Sequence, residues 1–391
     1  MIISSIIILI HLFPYSNETK IITTKLLFPS NNVFSFELSL GSPETIIDAR
    51  IEQTMQISLL SPHEYDITKK NSSNFIQNET VKITYNPTNA SLYLEDVKFP
   101  NNINTKLLFY ILPPKNSYDI KKNRFGFSFL MFNESVSFIH QLYKNNKISN
   151  LQYAFEPKKN EEGYFHLGGL PSTAISNTNY FAHININTTY AYWKFNLTKV
   201  FFDNYTYINN NTAYFDVGND YIYAPEAFYD ILESTYFSKY QTDCYRITFL
   251  NVLFMYQCNY SILNSLPKFN FVIDDYQFTL DAIKLFTPVT QEWVLDFRKN
   301  SANNNWIFGG KFLKHYISLF DYRGNIELYS ENNVITFIGK NPNSIYSFTL
   351  IMICVIVIMI GILGMIVYEL GKMNCLLKVS IEIKNKEENK D

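Results

Sequence analysis

Apolar and polar residues alternate in short bursts along most of this chain. Phe34-Ser35-Phe36-Glu37-Leu38-Ser39-Leu40 puts an apolar side chain at every second position, the period of a strand with one buried face. Ile46-Ile47, Val81 to Tyr85, Lys106 to Ile111, Phe195 to Phe202 and Phe269 to Ile273 are further short runs of β-branched and aromatic residues. Between Asn32 and Gly339 such runs are punctuated by Asn, Pro, Asp and Gly, which favour turns. Helical periodicity stands out twice. Ser135 is a candidate N-cap for a helix with Val136, Ile139, Leu142 and Tyr143 on one face, and Pro225 suits the first turn of a helix carrying Phe228, Ile231 and Leu232. Many strands with few helices predict an all-β architecture rather than alternating βαβ units.

Two uninterrupted apolar runs break the pattern. Met1 to Ile10 is too short to span a bilayer and reads as part of a secretory signal peptide over 1–16; without a basic leading segment, an uncleaved anchor is the alternative. Phe348 to Val367 is 20 residues without a charge, the length of a bilayer core, and predicts a transmembrane helix over 347–368. Lys372 and Lys378 follow it, which favours a cytoplasmic tail over 371–391. Ten Asn-x-Ser/Thr sequons all precede that span: Asn17, Asn71, Asn78, Asn89, Asn133, Asn187, Asn196, Asn204, Asn210 and Asn259. Together these features predict a type I membrane glycoprotein with a lumenal or extracellular ectodomain. Of four cysteines, Cys354 lies in the span and Cys375 beyond it, so Cys244 and Cys258 are the expected disulfide.

Composition narrows the function mainly by exclusion. A net charge of -2 with no basic stripe argues against a nucleic-acid partner. Aromatic residues make up 17% of the chain, but they accompany heavy Ile, Asn and Lys usage, which points to coding bias rather than to a binding surface. The six histidines are scattered without metal-ligand spacing, and neither a Gly-x-Ser-x-Gly elbow nor a phosphate-binding glycine loop is present. No cofactor is expected.

The chain also reads as two similar halves, with a linker near Ala174 to Ile186 after Gly168-Gly169. Each half has a carboxylate at a strand end (Glu52, Asp216), and later an apolar-apolar-Gly or aromatic-Gly segment, Arg124-Phe125-Gly126-Phe127 or Trp306-Ile307-Phe308-Gly309. Gly41-Ser42-Pro43-Glu44-Thr45, Ile83-Thr84-Tyr85, Gly163 to Gly169, Asp216-Val217-Gly218, Leu266 to Phe271 and Trp306 to Leu313 then follow in order. Across Asn32 to Glu331 this series resembles the pepsin-like aspartic proteases. The resemblance implies a bilobal all-β fold, with an N-terminal lobe over 32–175 and a C-terminal lobe over 187–335. It further implies a cleft for extended peptide, with Tyr85 and Gly218 contacting substrate, and a monomer.

In that family two carboxylates share one proton. One acid polarises the peptide carbonyl while the other carboxylate activates water. Here the second loop keeps Asp216 and Gly218 but has Val217 where a hydroxyl is expected. The first reads Glu52-Gln53-Thr54, with a longer acid and no glycine. Asp48 is a rival for the first position, and Leu59 stands where a tryptophan would brace the flap tyrosine. Asn86-Pro87-Thr88-Asn89 is expected at the flap turn, with a possible glycan at Asn89. The expectation is a membrane-anchored pepsin-like glycoprotein with impaired or absent proteolysis, the alternative being an endopeptidase active at acidic pH through Asp216 and Glu52.

Overall fold

The computed structural model describes residues 19–27, 33–83, 86–113, 122–129, 134–158, 161–249, 253–289, 292–300, 304–331, 335–338, 359, 363 and 368–373. By its contacts the chain divides into two compact units, Met1–Ile338 and Gly339–Asp391. In the second unit, positions 359, 363 and 368–373 are helical and exposed. The predicted signal peptide, nearly all of the predicted span and the tail beyond Met373 lie outside the described residues. Among those described, no helix is long and apolar enough to cross a membrane.

The first unit is built mostly of strands. Its largest sheet has thirteen, beginning Tyr180–Asn185, Asn325–Ser330, Ile317–Asp321, Gln152–Lys158, Glu161–Leu167 and Ile22–Leu27. These six interleave segments from the two ends of the unit. Ile22 pairs with Leu167 within the first half, but Phe320 of the second half pairs with Tyr153 of the first, so neither half closes this layer alone. The sheet continues through Ser35–Leu40, Thr45–Glu52 and Arg124–Gly126, and ends in the hairpin Asn86–Phe99 and Asn74–Ile83. Two five-stranded sheets and one of four strands complete the second half.

Alternation in sequence becomes alternation in burial. Phe36, Leu38 and Leu40 point into the core while Glu37 and Ser39 remain partly exposed. Phe36 packs edge-to-face on Phe125 at 5.4 Å, and Phe125 on Phe138 at 4.9 Å. Burying each such ring stabilises the fold by roughly 1.5–3 kcal/mol, and favourable ring geometry adds about 1 kcal/mol. In the second half Trp306, Phe308 and Phe271 play the same part.

Some boundaries differ from expectation. The first helix is Phe138–Lys144 with Ser137, not Ser135, at its N-cap; Ser137 bonds His140 Nδ1 at 3.0 Å, and Val136 is buried just before the helix. The run Phe195 to Phe202 is two strands, Trp193–Phe195 and Leu197–Phe202, in different sheets, because exposed Asn196 breaks the apolar run. Within the expected linker, Tyr180–Asn185 is a full strand registered against Asn325–Ser330. The helix after Pro225, Glu226–Ile231, forms as expected and continues in tighter and wider turns to Tyr240. Cys244 and Cys258 are disulfide-bonded across a strand pair.

Candidate active site

Each half contributes one carboxylate through the same local construction. Thr45–Glu52 runs parallel to Arg124–Gly126, and Ala213–Phe215 runs parallel to Trp306–Phe308. After each acid the chain turns, the third residue returning an N–H to the acid's carbonyl: Met55 to Glu52 at 3.3 Å, Asn219 to Asp216 at 3.0 Å. Beneath each turn lies the glycine that closes the neighbouring strand. A Cβ on Gly126 would sit 2.6 Å from the carbonyls of Met55 and Ile57; on Gly309 it would meet those of Asn219 and Tyr221 at 2.3 and 2.4 Å. Met55 and Asn219 stand third after their acids, Ile57 and Tyr221 fifth. This match makes Glu52 the counterpart of Asp216. The rival Asp48 is an exposed strand residue facing Glu37.

The two carboxylates converge. Glu52 and Asp216 are buried, 7% and 3% exposed. Glu52 Oε2 and Asp216 Oδ1 both lie within 3.0 Å of the point where Gly218 would carry a Cβ. Only glycine fits there, because the extra methylene of Glu52 carries its carboxylate onto the opposing loop. Gly218 N–H donates to Asp216 Oδ1 at 3.1 Å, and Asn219 Nδ2 donates to Oδ2 at 2.6 Å. Thr54, in the place of the first glycine, directs its hydroxyl at Asp216 Oδ2 from 3.5 Å.

Gln53 ties the loops together. Its Oε1 accepts the Val217 N–H at 2.9 Å, and its Nε2 donates to the Tyr153 hydroxyl at 2.8 Å. The longer amide thus makes the cross-loop bond that a threonine hydroxyl would make. Val217, fully buried and without a hydroxyl, returns no side-chain bond.

Two arginines flank Glu52, and sequence reasoning gave neither a role at this position. Arg50 Nε lies 2.9 Å from Glu52 Oε1 and Arg124 Nε 3.9 Å from the same oxygen. The Arg50 contact lacks hydrogen-bond alignment, so it acts through charge. Arg50 also donates through Nη2 to the Gly218 carbonyl, clamping the two loops. A signal was available: Arg50 and Glu52 share a strand face at i, i+2 spacing.

Burial is the main force on both acids and pushes both above the ordinary carboxylate range. For Glu52 the charge of Asp216 adds to the rise, while Arg50 and Arg124 oppose it. For Asp216 the Gly218 and Gln53 backbone N–H groups, Arg50 and Asn219 oppose it. The pair therefore holds a proton at a pH where isolated carboxylates would both be ionised.

Of the other site residues expected, Gly218 is at the centre, whereas Tyr85 lies outside the described residues. Ile83 pairs with Asn86 at the end of the hairpin ladder. Asn86 to Asn89 belong to the returning strand rather than to the turn, and Asn89 pairs with Thr80. Leu59 is buried among Met55, Leu92, Tyr110 and other apolar residues under the hairpin. No cluster of potential metal ligands occurs among the described residues. A cavity of about 380 Å³ between Phe202, Tyr236 and Pro267 has neither carboxylate in its wall.

Among curated proteins no sequence matches the chain. The sequence model of the eukaryotic aspartyl protease family matches residues 63–328, a stretch that includes Asp216 and begins after Glu52. The match leaves out the loop that departs from the family pattern. With two equivalent acid loops brought together in a mostly β fold, the chain belongs to the eukaryotic aspartyl protease family.

Proposed function

We propose that this protein binds extended peptide in a pepsin-like cleft and has impaired proteolysis, with Glu52 and Asp216 as its altered carboxylate pair. The observation that carries the proposal is Arg50, 2.9 Å from Glu52 and bonded to Gly218. Peptide hydrolysis needs one carboxylate to accept a proton from water while the other, protonated, polarises the carbonyl. The Arg50 guanidinium opposes the rise that burial and Asp216 impose on Glu52, and so leaves it a weaker base than the same acid without that cation. Glu52 also sets its carboxylate one methylene beyond the aspartate position. A displacement of about 1 Å in a reacting group costs on the order of 10²-fold in rate. We further propose that the span at 347–368 anchors the protein, with the first unit lumenal or extracellular.

A second reading has its own support. The convergence of Glu52 and Asp216 beside Gly218, with both acids lifted by burial, suits proton sharing at mildly acidic pH. On that reading the protein is an acid endopeptidase with Asp216 and Glu52 as the pair. The purified full chain, assayed on an unfolded protein from about pH 3 to about pH 7, decides between them. Cleavage that disappears in Asp216→Asn establishes the endopeptidase. Peptide binding without cleavage establishes the first reading.

A further inference from the structure

The flap hairpin carries two sequons, Asn78-Glu79-Thr80 and Asn89-Ala90-Ser91, and the strands interlock them. Asn78 pairs with Ser91 and Thr80 with Asn89, so four side chains share one face. Ser91 Oγ donates to Asn78 Oδ1 at 2.7 Å, and Thr80 Oγ1 donates to Asn89 Oδ1 at 3.0 Å. Each sequon hydroxyl thus holds the other sequon's asparagine. Val81, Ala90 and Leu92 occupy the opposite, buried face, while Asn78, Thr80 and Asn89 are exposed.

The atoms engaged matter. An N-linked sugar attaches through Nδ2 and leaves the amide oxygen in place. Among the described residues both asparagines bond only through that oxygen, so both cross-strand bonds survive glycosylation. Asn187 likewise engages Oδ1, accepting from Thr189. Non-sequon asparagines behave differently: Asn123, Asn209, Asn219 and Asn300 all donate through Nδ2 to protein acceptors. Among the described residues all eight sequon asparagines are exposed, whereas Asn123 and Asn300 are buried.

We infer that Asn78 and Asn89 are a paired N-glycosylation site, which places two sugars side by side on the outer face of the flap hairpin. The sugars lie on the face turned away from the apolar cluster and beside Asn74–Ile83, the terminal strand of the large sheet. They cover backbone that would otherwise be open to pairing with another chain. This inference rests on the lumenal placement proposed above.

The test is glycopeptide mapping of the full chain made in a eukaryotic host competent for N-glycosylation. Modification of both Asn78 and Asn89, each lost on its own in Asn78→Gln and Asn89→Gln, is the expected result. Modification of Asn187 or Asn204 with either flap asparagine bare would overturn the paired site and leave the lumenal placement standing. A chain bare at every sequon would overturn both.

Discussion

At the residue scale the site is a trade between two loops. Glu52 is longer than the aspartate opposite it, and Gly218 supplies the space its carboxylate occupies. Thr54 fills the corresponding space over Asp216, and Arg50 holds the arrangement from the side. Reversing the trade is therefore informative. The triple change Arg50→Gln, Glu52→Asp and Thr54→Gly should raise cleavage of an unfolded protein by about 10²-fold, measured by single-turnover assay. Glu52→Asp alone, with Arg50 and Thr54 kept, should gain far less.

The raised acids also set a pH dependence of stability. Because burial lifts both in the folded state, their protonated forms fit the fold better than their ionised forms. Stability is then fullest below the ordinary carboxylate range and declines as pH rises through the elevated values. The slope is up to about 1.4 kcal/mol per pH unit for each extra proton the folded state retains. Thermal melts from about pH 4 to about pH 8 should show this decline, with a shallower slope in Asp216→Asn, which removes one acid and the charge that raises the other. Both acids were legible in the sequence as strand-end carboxylates. Arg50 stood on the strand face of Glu52, but its bond to Gly218 was not legible, because it joins two loops far apart in sequence.

Among the elements, the two glycines that underlie the acid loops are the least replaceable. Gly126→Ala or Gly309→Ala would drive a Cβ to 2.6 Å or less from backbone carbonyls that have little room to move. Each should cost about 3 kcal/mol or more, read as a shift in denaturant midpoint, whereas Gly324→Ala meets only a Thr188 methyl at 3.0 Å and pays mainly for its positive φ. Removing the disulfide by Cys258→Ser opens a loop with a sequence separation of 14 and should cost about 3 kcal/mol. Strand existence was readable in the alternating run Ser35–Leu40 and the apolar run Phe269–Ile273, but not at Tyr180–Asn185, which was expected to be linker. Boundaries were less so. Exposed Asn196 marks the division of the run Phe195 to Phe202, but the sheets its two parts join are set by partners far away in sequence.

For the molecule as a whole, the duplication seen in sequence is not a division into independent parts. Gln152–Lys158 pairs with Ile317–Asp321, and Trp193 donates to the Phe127 carbonyl at 2.7 Å, so each half completes the other. That interleaving aligns Glu52 with Asp216, and it makes the carboxylate pair a property of the first unit rather than of either loop. Turnover of peptide by that pair is read out by one assay. The wild-type full chain and Asp216→Asn are incubated with an unfolded protein from about pH 3 to about pH 7, and new amino termini are counted. Little or no cleavage by the wild type above the Asp216→Asn background is expected, with the chain folded throughout. Strong acid-dependent cleavage by the wild type, lost in Asp216→Asn, would contradict impaired proteolysis.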